Sequence, residues 1–469
     1  MMKNIFRLTI LACAIICLSF PTQGQKTALT EQYKKEAIET LSKLMNDFYV
    51  FPEIAKKTET HLNEQLKSGH FKEFKSVDSF AEALTESVQV INKDKHMRIR
   101  KNRPREAKPN TPEAMVEDRI YRINRDRSST GGFYGVEKME GNVGYLDLRG
   151  FHAAEYGSPI ADNYMSLLST SDAVIIDLRK NGGGDPEMVQ YLCSYFFKEK
   201  VHLNSLYFRE GDRTIDFWTL EKVNGTKMID VPLFVLTSDY TFSAAEEFSY
   251  NMQTQKRATL VGQTTGGGAN PGGTMPINAD MNVFIPGGMA INPITKTNWE
   301  GVGVIPEVAT QPEETMEKAH ELAMVAAEEF RSKNAKRIKS LLLDLNKKID
   351  NYSSNSSETP ILESFKKCVE ADVIEEWEIN IMGYDYMMEK FKPKTAEVIF
   401  KANTILHPNS ANVYDSYGEV LARNGALEKS IVNYKKAVEL GKESDDPQLQ
   451  VYKDNLAKVE KRLAHSDKP

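Results

Sequence analysis

Apolar positions recur at helical spacing in the first part of the chain. Between Tyr33 and Phe48 they fall at every third or fourth position, which predicts an amphipathic helix. A second helix is predicted over Ile54–Leu66, and a third after the capping-box pattern Ser79–Glu82. Three short helices of this kind predict a small N-terminal helical cap domain over residues 25–100.

The middle of the chain changes to short, continuous apolar runs that are typical of buried strands. Such runs lie at Val143–Leu148, Ala173–Leu178 and Leu233–Leu236, and a predicted helix at Pro186–Phe197 lies between two of them. Alternating strands and helices with apolar strands predict an α/β core, here over residues 136–334. The charged, proline-containing stretch before it predicts a linker over residues 101–135.

The last part of the chain is predicted to be entirely helical, as an all-α domain over residues 335–469. Two sets of positions fit the spacing of tetratricopeptide repeats, and Phe400 and Tyr434 are offset by 34 residues. The sets are Gly383, Tyr386, Ala396 and Phe400, and then Gly418, Leu421, Gly425, Tyr434 and Ala437. An unrelated helical bundle is the alternative. Since two repeats bury little surface, they are expected to pack against the α/β core or a protein partner.

The N-terminal segment has the pattern of a secretory signal. Lys3 and Arg7 precede the apolar run Leu8–Phe20, and small residues follow, so residues 1–24 are predicted to be removed. Export to the periplasm or the extracellular space is then expected. Lipidation at Cys13 is the weaker alternative, because the hydrophobic stretch between Arg7 and Cys13 is short for a lipoprotein signal.

Composition narrows the class of protein. The chain has 469 residues, a length that predicts two or three domains. Its residues are 41% hydrophobic and 27% charged, as in soluble globular proteins. The formal net charge of -6 predicts no general attraction to nucleic acid. No run after residue 24 has the length and apolarity of a transmembrane helix. Only Cys193 and Cys368 remain after signal removal, so neither a disulfide framework nor a metal-type cysteine spacing is expected.

Two segments that follow predicted strands carry candidate chemistry. Asp177–Gly184 ends in three glycines, whose amides could face an oxyanion or a phosphate, although a tight turn serving only the fold explains them equally well. Ser243 starts a predicted helix, and Glu246 three residues later makes a capping box the simplest explanation. A serine at a helix N-terminus is also suited to nucleophilic attack, with the Ala244 amide as an oxyanion donor.

A nucleophilic serine needs a base. Of the eight histidines, His96 lies at the entry to the core and His152 follows a core strand, so His96 is the first candidate and His152 the reserve. Glu300 precedes a glycine turn and could orient an imidazole, but a surface glutamate is an equally good interpretation. His320-Glu321 begins like a zinc motif without a second histidine, so no metal and no cofactor are expected.

Three segments together, Asp177–Gly184, Thr241–Glu246 and Glu300–Pro306, resemble the C-terminal processing peptidases, also called tail-specific proteases. The resemblance covers Leu29 to Val325. Within the family the chain is most similar to the branch of interphotoreceptor retinoid-binding protein modules and the tricorn protease core. The resemblance implies a crotonase-like α/β superhelix and a serine-type endopeptidase that acts on peptides or proteins.

The resemblance also implies the roles of site residues. It makes Ser243 the nucleophile, with amides of Gly183 and Ala244 forming the oxyanion hole. Many members carry a lysine base 25 residues after the serine, where this chain has Gly268. The tricorn-like branch instead uses an N-terminal histidine and a later glutamate, which correspond here to His96 as general base and Glu300 as its orienting carboxylate.

Some positions depart from the family pattern. Lys95 stands where tricorn-like sites have a serine, which puts a fourth catalytic residue in doubt, and Ala244 stands where an aspartate could attract basic side chains. The stretch from Met97 to Val143 is too short for a PDZ domain and its linkers. Two rivals to a peptidase remain open: a module that binds hydrophobic ligands with an inactive site, and a protein that acts through its C-terminal repeats.

Overall fold

The computed structural model describes residues 29–102 and 111–466. The chain divides into two compact units, Met1–Ala327 and Glu328–Pro469. The predicted signal segment 1–24 lies outside the described residues, as does part of the predicted linker. Within the described ranges, no helix combines the length and apolar character needed to span a membrane.

The described residues of both units contain helices. In chain order they are α1 (Glu31–Phe48), α2 (Pro52–Ser68), α3 (Val77–Asn92), α4 (Pro112–Ser129), α5 (Ala154–Leu168), α6 (Pro186–Ser194), α7 (Ala244–Thr254), α8 (Thr315–Asp350), α9 (Thr359–Glu370), α10 (Glu376–Tyr384), α11 (Pro393–Leu406), α12 (Ala411–Arg423), α13 (Leu427–Glu443) and α14 (Leu449–Ser466).

The strands of the described residues all lie in the first unit. They are β1 (Ile99–Lys101), β2 (Phe133–Met139), β3 (Val143–Leu148), β4 (Ala173–Asp177), β5 (His202–Phe208), β6 (Arg213–Trp218), β7 (Leu233–Thr237), β8 (Thr259–Gly262), β9 (Gly272–Pro276), β10 (Met281–Pro286), β11 (Gly288–Ile291) and β12 (Val308–Ala309). The first unit is therefore a mixed α/β fold, as the alternating apolar runs predicted.

A six-stranded sheet forms the centre of the first unit, in the order β12-β8-β7-β4-β3-β2. Its strands are parallel except for β2, which pairs antiparallel with β3 at one edge. All residues of β4 and β7 are buried, which explains why these strands are continuous apolar runs in the sequence. Because β4 and β7 are adjacent and parallel, the loops after them meet at one edge of the sheet.

The cap combines the three N-terminal helices with strands from much later in the chain. Helices α1, α2 and α3 share one apolar core with a three-stranded antiparallel sheet of order β1-β10-β9. The start predicted for the third helix was wrong by three residues, because Ser76 is its N-cap and accepts a hydrogen bond from the Ser79 amide. Strands β9 and β10 thus link the cap to the rest of the α/β core.

The segment predicted to be a linker contains regular structure. Helix α4 lies within residues 101–135, and β2 begins at Phe133. The sequence did not indicate α4 because its apolar residues follow the helical period only weakly. A second small sheet, of order β11-β5-β6, completes the first unit.

The described part of the second unit is entirely helical, as predicted. The helix predicted to end near Phe330 continues to Asp350. Close packing between small and aromatic residues recurs: a Cβ on Gly383 would lie 2.6 Å from the Phe400 ring, and one on Gly418 would lie 3.0 Å from the Tyr434 ring. Cys193 and Cys368 are both buried and free.

Candidate active site

Ser243 lies between β7 and α7 in a backbone conformation that side chains rarely adopt. Its φ is 56° and its ψ is -121°, a region that favours glycine. The loop is held to the loop after β4, since the Phe242 N–H donates to the Asn181 carbonyl and Thr241 Oγ1 donates to the Leu178 carbonyl. An ordinary N-cap has extended backbone, so capping alone does not account for this serine.

The strain at this position has a measurable consequence. We expect Ser243→Gly to be more stable than Ser243→Ala by about 1 kcal/mol, because glycine removes the cost of a Cβ at positive φ, which exceeds its own entropic penalty. Both variants lack the hydroxyl, so the comparison isolates the backbone. Urea unfolding of the two variants measures the difference. An alanine variant at least as stable as the glycine variant would show that the conformation is unstrained.

The glycine loop after β4 touches the serine directly. A Cβ on Gly183, whose φ is +104°, would lie 2.8 Å from Ser243 Cβ and 2.9 Å from the Ala244 nitrogen, so this close approach requires glycine. Gly183 and Ala244, whose amides are predicted to form an oxyanion hole, therefore lie side by side in the structure. The Ala244 N–H is the first of α7 and has no acceptor within the helix. The Gly183 N–H, in contrast, donates to Asn181 Oδ1 at 2.9 Å.

Glu246 holds the serine loop and the next glycine-rich loop together. Its buried carboxylate accepts hydrogen bonds from the amides of Ser243 (2.8 Å), Gly267 (2.6 Å) and Gly268 (2.8 Å), and from the Thr265 hydroxyl. Burial raises the pKa of Glu246, and the four donors oppose that rise. The sequence indicated only a helix cap, whereas the side chain anchors the local structure of the site.

His96 lies against the residue that precedes the serine. Its ring centroid is 4.5 Å from that of Phe242, and Phe284 stacks on it at 5.7 Å. Only 12% of the His96 side chain is exposed. Burial, and then the nearby charge of Arg98, lower the pKa of His96 to about 4, so the imidazole is neutral at physiological pH, as a general base must be.

Two carboxyl groups accompany the imidazole. His96 Nδ1 is 3.7 Å from Asp94 Oδ1, and donor atoms of Asp94, His96 and Glu300 all lie within 4.8 Å of one another. Glu300 Oε2 accepts from the Ala269 amide at 2.6 Å. Among the described residues, neither the buried Glu300 Oε1 nor His96 Nδ1 has a hydrogen-bond partner, so each is available to the other.

The two carboxyl groups also influence each other. Burial and the charge of Asp94 raise the pKa of Glu300 to about 8, and burial raises the pKa of Asp94. Sequence reasoning predicted Glu300 but missed Asp94, although its position two residues before His96 was a usable indication.

Asp94, His96 and Glu300 also form a donor set that could hold a metal ion. Both oxygens of Asp94 already accept hydrogen bonds, however, one from the His96 amide and the other from Asn270 Nδ2 at 2.9 Å. These bonds fix the position of the Asp94 carboxylate beside the imidazole. The expectation that no metal is used stays a prediction.

Position 268 has no room for a side chain. A Cβ on Gly268 would lie 2.2 Å from Phe242 Cζ and 2.6 Å from His96 Cε1. The Gly268 carbonyl is held by the Trp299 indole N–H at 2.8 Å. The imidazole therefore occupies the space beside the position at which many relatives are expected to carry a lysine.

The reserve histidine makes different contacts. His152 Nδ1 is 3.3 Å from the Ser129 hydroxyl. His152 does not line the cavity beside His96. Of the two histidines considered from the sequence, the structure brings His96 to the serine loop.

A cavity of about 630 Å³ opens beside these groups. It is lined by residues of the serine loop, of the glycine loops and of the β1-β10-β9 sheet. They are Lys95, His96, Arg98, Arg100, Gly182, Asp239, Tyr240, Phe242, Gly266, Thr274, Asn282 and Phe284. The cavity gives a peptide-sized ligand access to this part of the molecule.

Two of the solved structures that are similar to this chain are a peptidase and a processing protease. A candidate peptidase from Parabacteroides merdae matches 62% of this chain and 96% of its own chain, with 18% identity and a TM-score of 0.46. The photosystem II D1 C-terminal processing protease matches 60% of this chain and 93% of its own, with 14% identity and a TM-score of 0.38.

Comparisons of the sequence agree with the motifs. The carboxyl-terminal-processing protease of Synechocystis sp. is 32% identical over 126 residues, which are 27% of this chain and 28% of that protein. The chain thus matches less than a third of the relative's length. Residues 142–310 match the model of peptidase family S41, and residues 27–128 match the model of the N-terminal domain of peptidase S41 in eukaryotic IRBP. This chain therefore belongs to the S41 family of C-terminal processing peptidases.

Proposed function

We propose that this protein is a serine peptidase that hydrolyses peptide bonds, as an endopeptidase, with Ser243 as nucleophile and His96 as general base. The observation that carries the proposal is the packing of the His96 ring on Phe242, at 4.5 Å between centroids, next to the strained serine. A neutral imidazole with two neighbouring carboxyl groups is the arrangement that a hydroxyl nucleophile needs.

In the proposed reaction, His96 accepts the Ser243 proton while Oγ attacks the carbonyl carbon of the substrate. Asp94, whose Oδ1 is 3.7 Å from His96 Nδ1, then stabilises the imidazolium, and Glu300 orients the ring through Nδ1. The Ala244 N–H at the start of α7 donates to the oxyanion, and the Gly183 N–H joins it on release from Asn181. His96 next protonates the leaving amine, and a water molecule activated by the same ring releases the acyl group.

Labelling by a fluorophosphonate tests the activated serine. We expect covalent labelling at Ser243, with a rate that stays high at pH 6 and falls only as pH declines through about 4, because protonation of His96 removes the base. Peptide mapping by mass spectrometry locates the label, and rates from pH 3.5 to 8 give the profile.

The same experiment separates a peptidase from a passive ligand-binding module. A binding module with an inactive site would leave Ser243 unlabelled, since its hydroxyl would be unactivated. The Ser243→Ala variant is the control for labelling elsewhere. A profile with its midpoint near 6.5, the ordinary histidine value, would contradict the buried, neutral state of His96.

Three further features belong to the proposal. The first unit is proposed to be a crotonase-like superhelix, on the basis of the motifs that resemble the family.

Export to the periplasm or beyond is proposed from segment 1–24, in which charged residues are followed by an apolar run and then by small residues. The second unit is proposed to contain tetratricopeptide-like repeats that bind a protein partner, supported by the equivalent packing of Gly383 on Phe400 and Gly418 on Tyr434.

A further inference from the structure

A row of exposed apolar side chains follows α10 in the second unit. Trp377, Ile381, Met388 and Phe391 are 56%, 59%, 45% and 82% exposed. The helix continues into a π-helical turn over Asp385–Glu389, which carries Met388, and Phe391 follows directly after it. Spacings of four and seven residues place the first three side chains along one helix face. These four side chains are called the α10 stripe.

The opposite face of the same segment is already packed. Ile379 and Gly383 are buried, and a Cβ on Gly383 would lie 2.6 Å from the Phe400 ring of α11. Tyr386 and Met387 of the π-helical turn belong to the same apolar core. A surface helix usually presents a polar face to water, whereas this one is apolar on both faces and covered on one. The α10 stripe is therefore typical of an interaction surface.

The other exposed large apolar side chains in the described part of the second unit lie apart from one another, on four different helices. They are Leu343 on α8, Ile405 on α11, Val432 on α13 and Val451 on α14. Single exposed apolar residues are ordinary on a protein surface, but a row of four with two aromatic rings is not. Aromatic and methionine side chains are also enriched at protein interfaces.

Carboxylates are concentrated at the Trp377 end of the stripe. Glu375 and Glu376 precede Trp377, and Glu378 follows it. Their hydrogen-bond donors are neutral: the Trp377 indole donates to Glu375, the Ser410 hydroxyl to Glu376 and the Glu375 amide to Glu378. Within residues 29–102 and 111–466, none of the three forms an ion pair, so their negative charge is not balanced locally.

Lysines are concentrated at the other end. Lys390 and Lys392 flank Phe391, and Lys394 follows two residues later. Lys390 and Lys394 each pair with a nearby carboxylate, at 3.0 Å and 3.2 Å. Lys392 is exposed and makes no ion pair with any residue that the structure describes. Its ammonium group is therefore available to a carboxylate of a partner.

We propose that the α10 stripe forms the interface of a two-fold symmetric dimer, in which it packs antiparallel on the same stripe of a second copy of this chain. In such a dimer a surface contacts itself, so its two ends must be complementary. Antiparallel packing brings the Trp377 end of one copy to the Phe391 end of the other, where ring meets ring and the glutamates meet Lys392. This inference rests on the proposed binding of a protein partner by the second unit, and it names that partner.

Sedimentation equilibrium of the purified protein tests the dimer. One helix pair buries less surface than a standard protein interface, so we expect a Kd on the order of 10 µM. Between about 1 and 300 µM, the average mass should rise from near that of one chain towards that of two chains. A mass that stays at one chain over this whole range would overturn the inference.

A charge placed in the stripe should break the dimer. We expect Ile381→Glu to raise the Kd at least ten-fold, because each copy would bury an unpaired carboxylate in the apolar interface. Ile405→Glu is the matched control, since Ile405 is 51% exposed and lies on α11, outside the stripe. Its Kd should stay within about two-fold of the wild-type value, as for most surface substitutions. Circular dichroism checks that both variants are folded.

A second pair of variants tests the orientation. Lys392→Glu would face the glutamates of the other copy, so we expect it to raise the Kd about five-fold or more. Lys366→Glu makes the same change of charge on α9, where Lys366 is 63% exposed, and should leave the Kd unchanged. A Kd that responds to Ile381→Glu but not to Lys392→Glu would overturn the antiparallel arrangement.

The remaining outcomes separate this inference from the broader proposals. A dimer unaffected by Ile381→Glu would be formed by another surface, which would overturn the role of the stripe but agree with partner binding by the second unit. Binding of a monomeric protein to lipid vesicles, lost in Ile381→Glu, would assign the stripe to a membrane surface instead. Peptide cleavage per chain should be equal in the wild type and in Ile381→Glu, so the peptidase proposal stands or falls separately.

Discussion

Ser243→Ala and His96→Ala are each expected to lower kcat/KM for peptide hydrolysis by about 10⁴-fold or more, and the double variant by little more than either alone. Nucleophile and base act as a unit, so that loss of one makes the other ineffective. What remains is the contribution of substrate binding and of the oxyanion donors. Cleavage of a mixed peptide library, followed by kinetics on the best substrate, measures these values.

His152→Ala is the matched control for the base. This histidine contacts Ser129 and lies outside the lining of the cavity, so its variant should keep kcat/KM within about two-fold of wild type, as substitutions away from a reacting centre usually do. Full activity in His96→Ala would refute its role as base. Loss of activity in His152→Ala, with His96→Ala active, would transfer that role to the reserve candidate.

The position of the serine at the edge of the central sheet could be predicted because its determinants are local. Strands β3, β4 and β7 are short apolar runs, and β3 has the bounds that the sequence indicated. β4 is followed by a glycine-rich segment, and β7 is followed by the segment that starts α7. When such strands pair in parallel, the loops that follow them lie at the same edge of the sheet. The local sequence pattern is therefore enough to predict that the two loops meet.

The surroundings of the base could not be predicted in this way, since they depend on pairing between distant segments. β1 pairs with β10, and Ile99 lies opposite Val283, which is far away in sequence. The hydrogen bond of Asn270 to Asp94 also joins the two regions. The period of apolar residues and the turn residues indicate only local structure. They do not predict contacts between segments this far apart in sequence, so Asp94 was missed.

Glycines determine how closely these distant segments can approach. Gly183 lets the loop after β4 touch the serine, and Gly268 lets the Phe242 and His96 rings meet over its α-carbon. The carboxylate of Glu246 accepts hydrogen bonds from the amides of both Ser243 and Gly268, so it joins the serine loop to the loop beside the imidazole. The geometry of the site therefore depends on small residues that carry out no chemistry.

Gly268→Ala is accordingly expected to have a large effect for a single methyl group. The new Cβ would lie 2.2 Å from Phe242 and 2.6 Å from His96, so at least one ring must move. We expect kcat/KM to fall about 100-fold or more, because small displacements of a catalytic group cost that much, and the free energy of unfolding to fall by about 1–3 kcal/mol from overpacking. Gly268→Lys should be at least as inactive, since a lysine there displaces the imidazole instead of replacing it.

Gly273→Ala provides the comparison, because a Cβ on this glycine of β9 would meet no atom within 4 Å. It should leave both kcat/KM and the unfolding midpoint close to those of the wild type.

If Gly268→Ala were as active as Gly273→Ala, activity would not depend on the close packing of the Phe242 and His96 rings. The placement of the base beside Ser243 would then lose its main support. If Gly268→Lys and His96→Ala were both active, catalysis would not need the imidazole, and His96 would be a buried structural histidine.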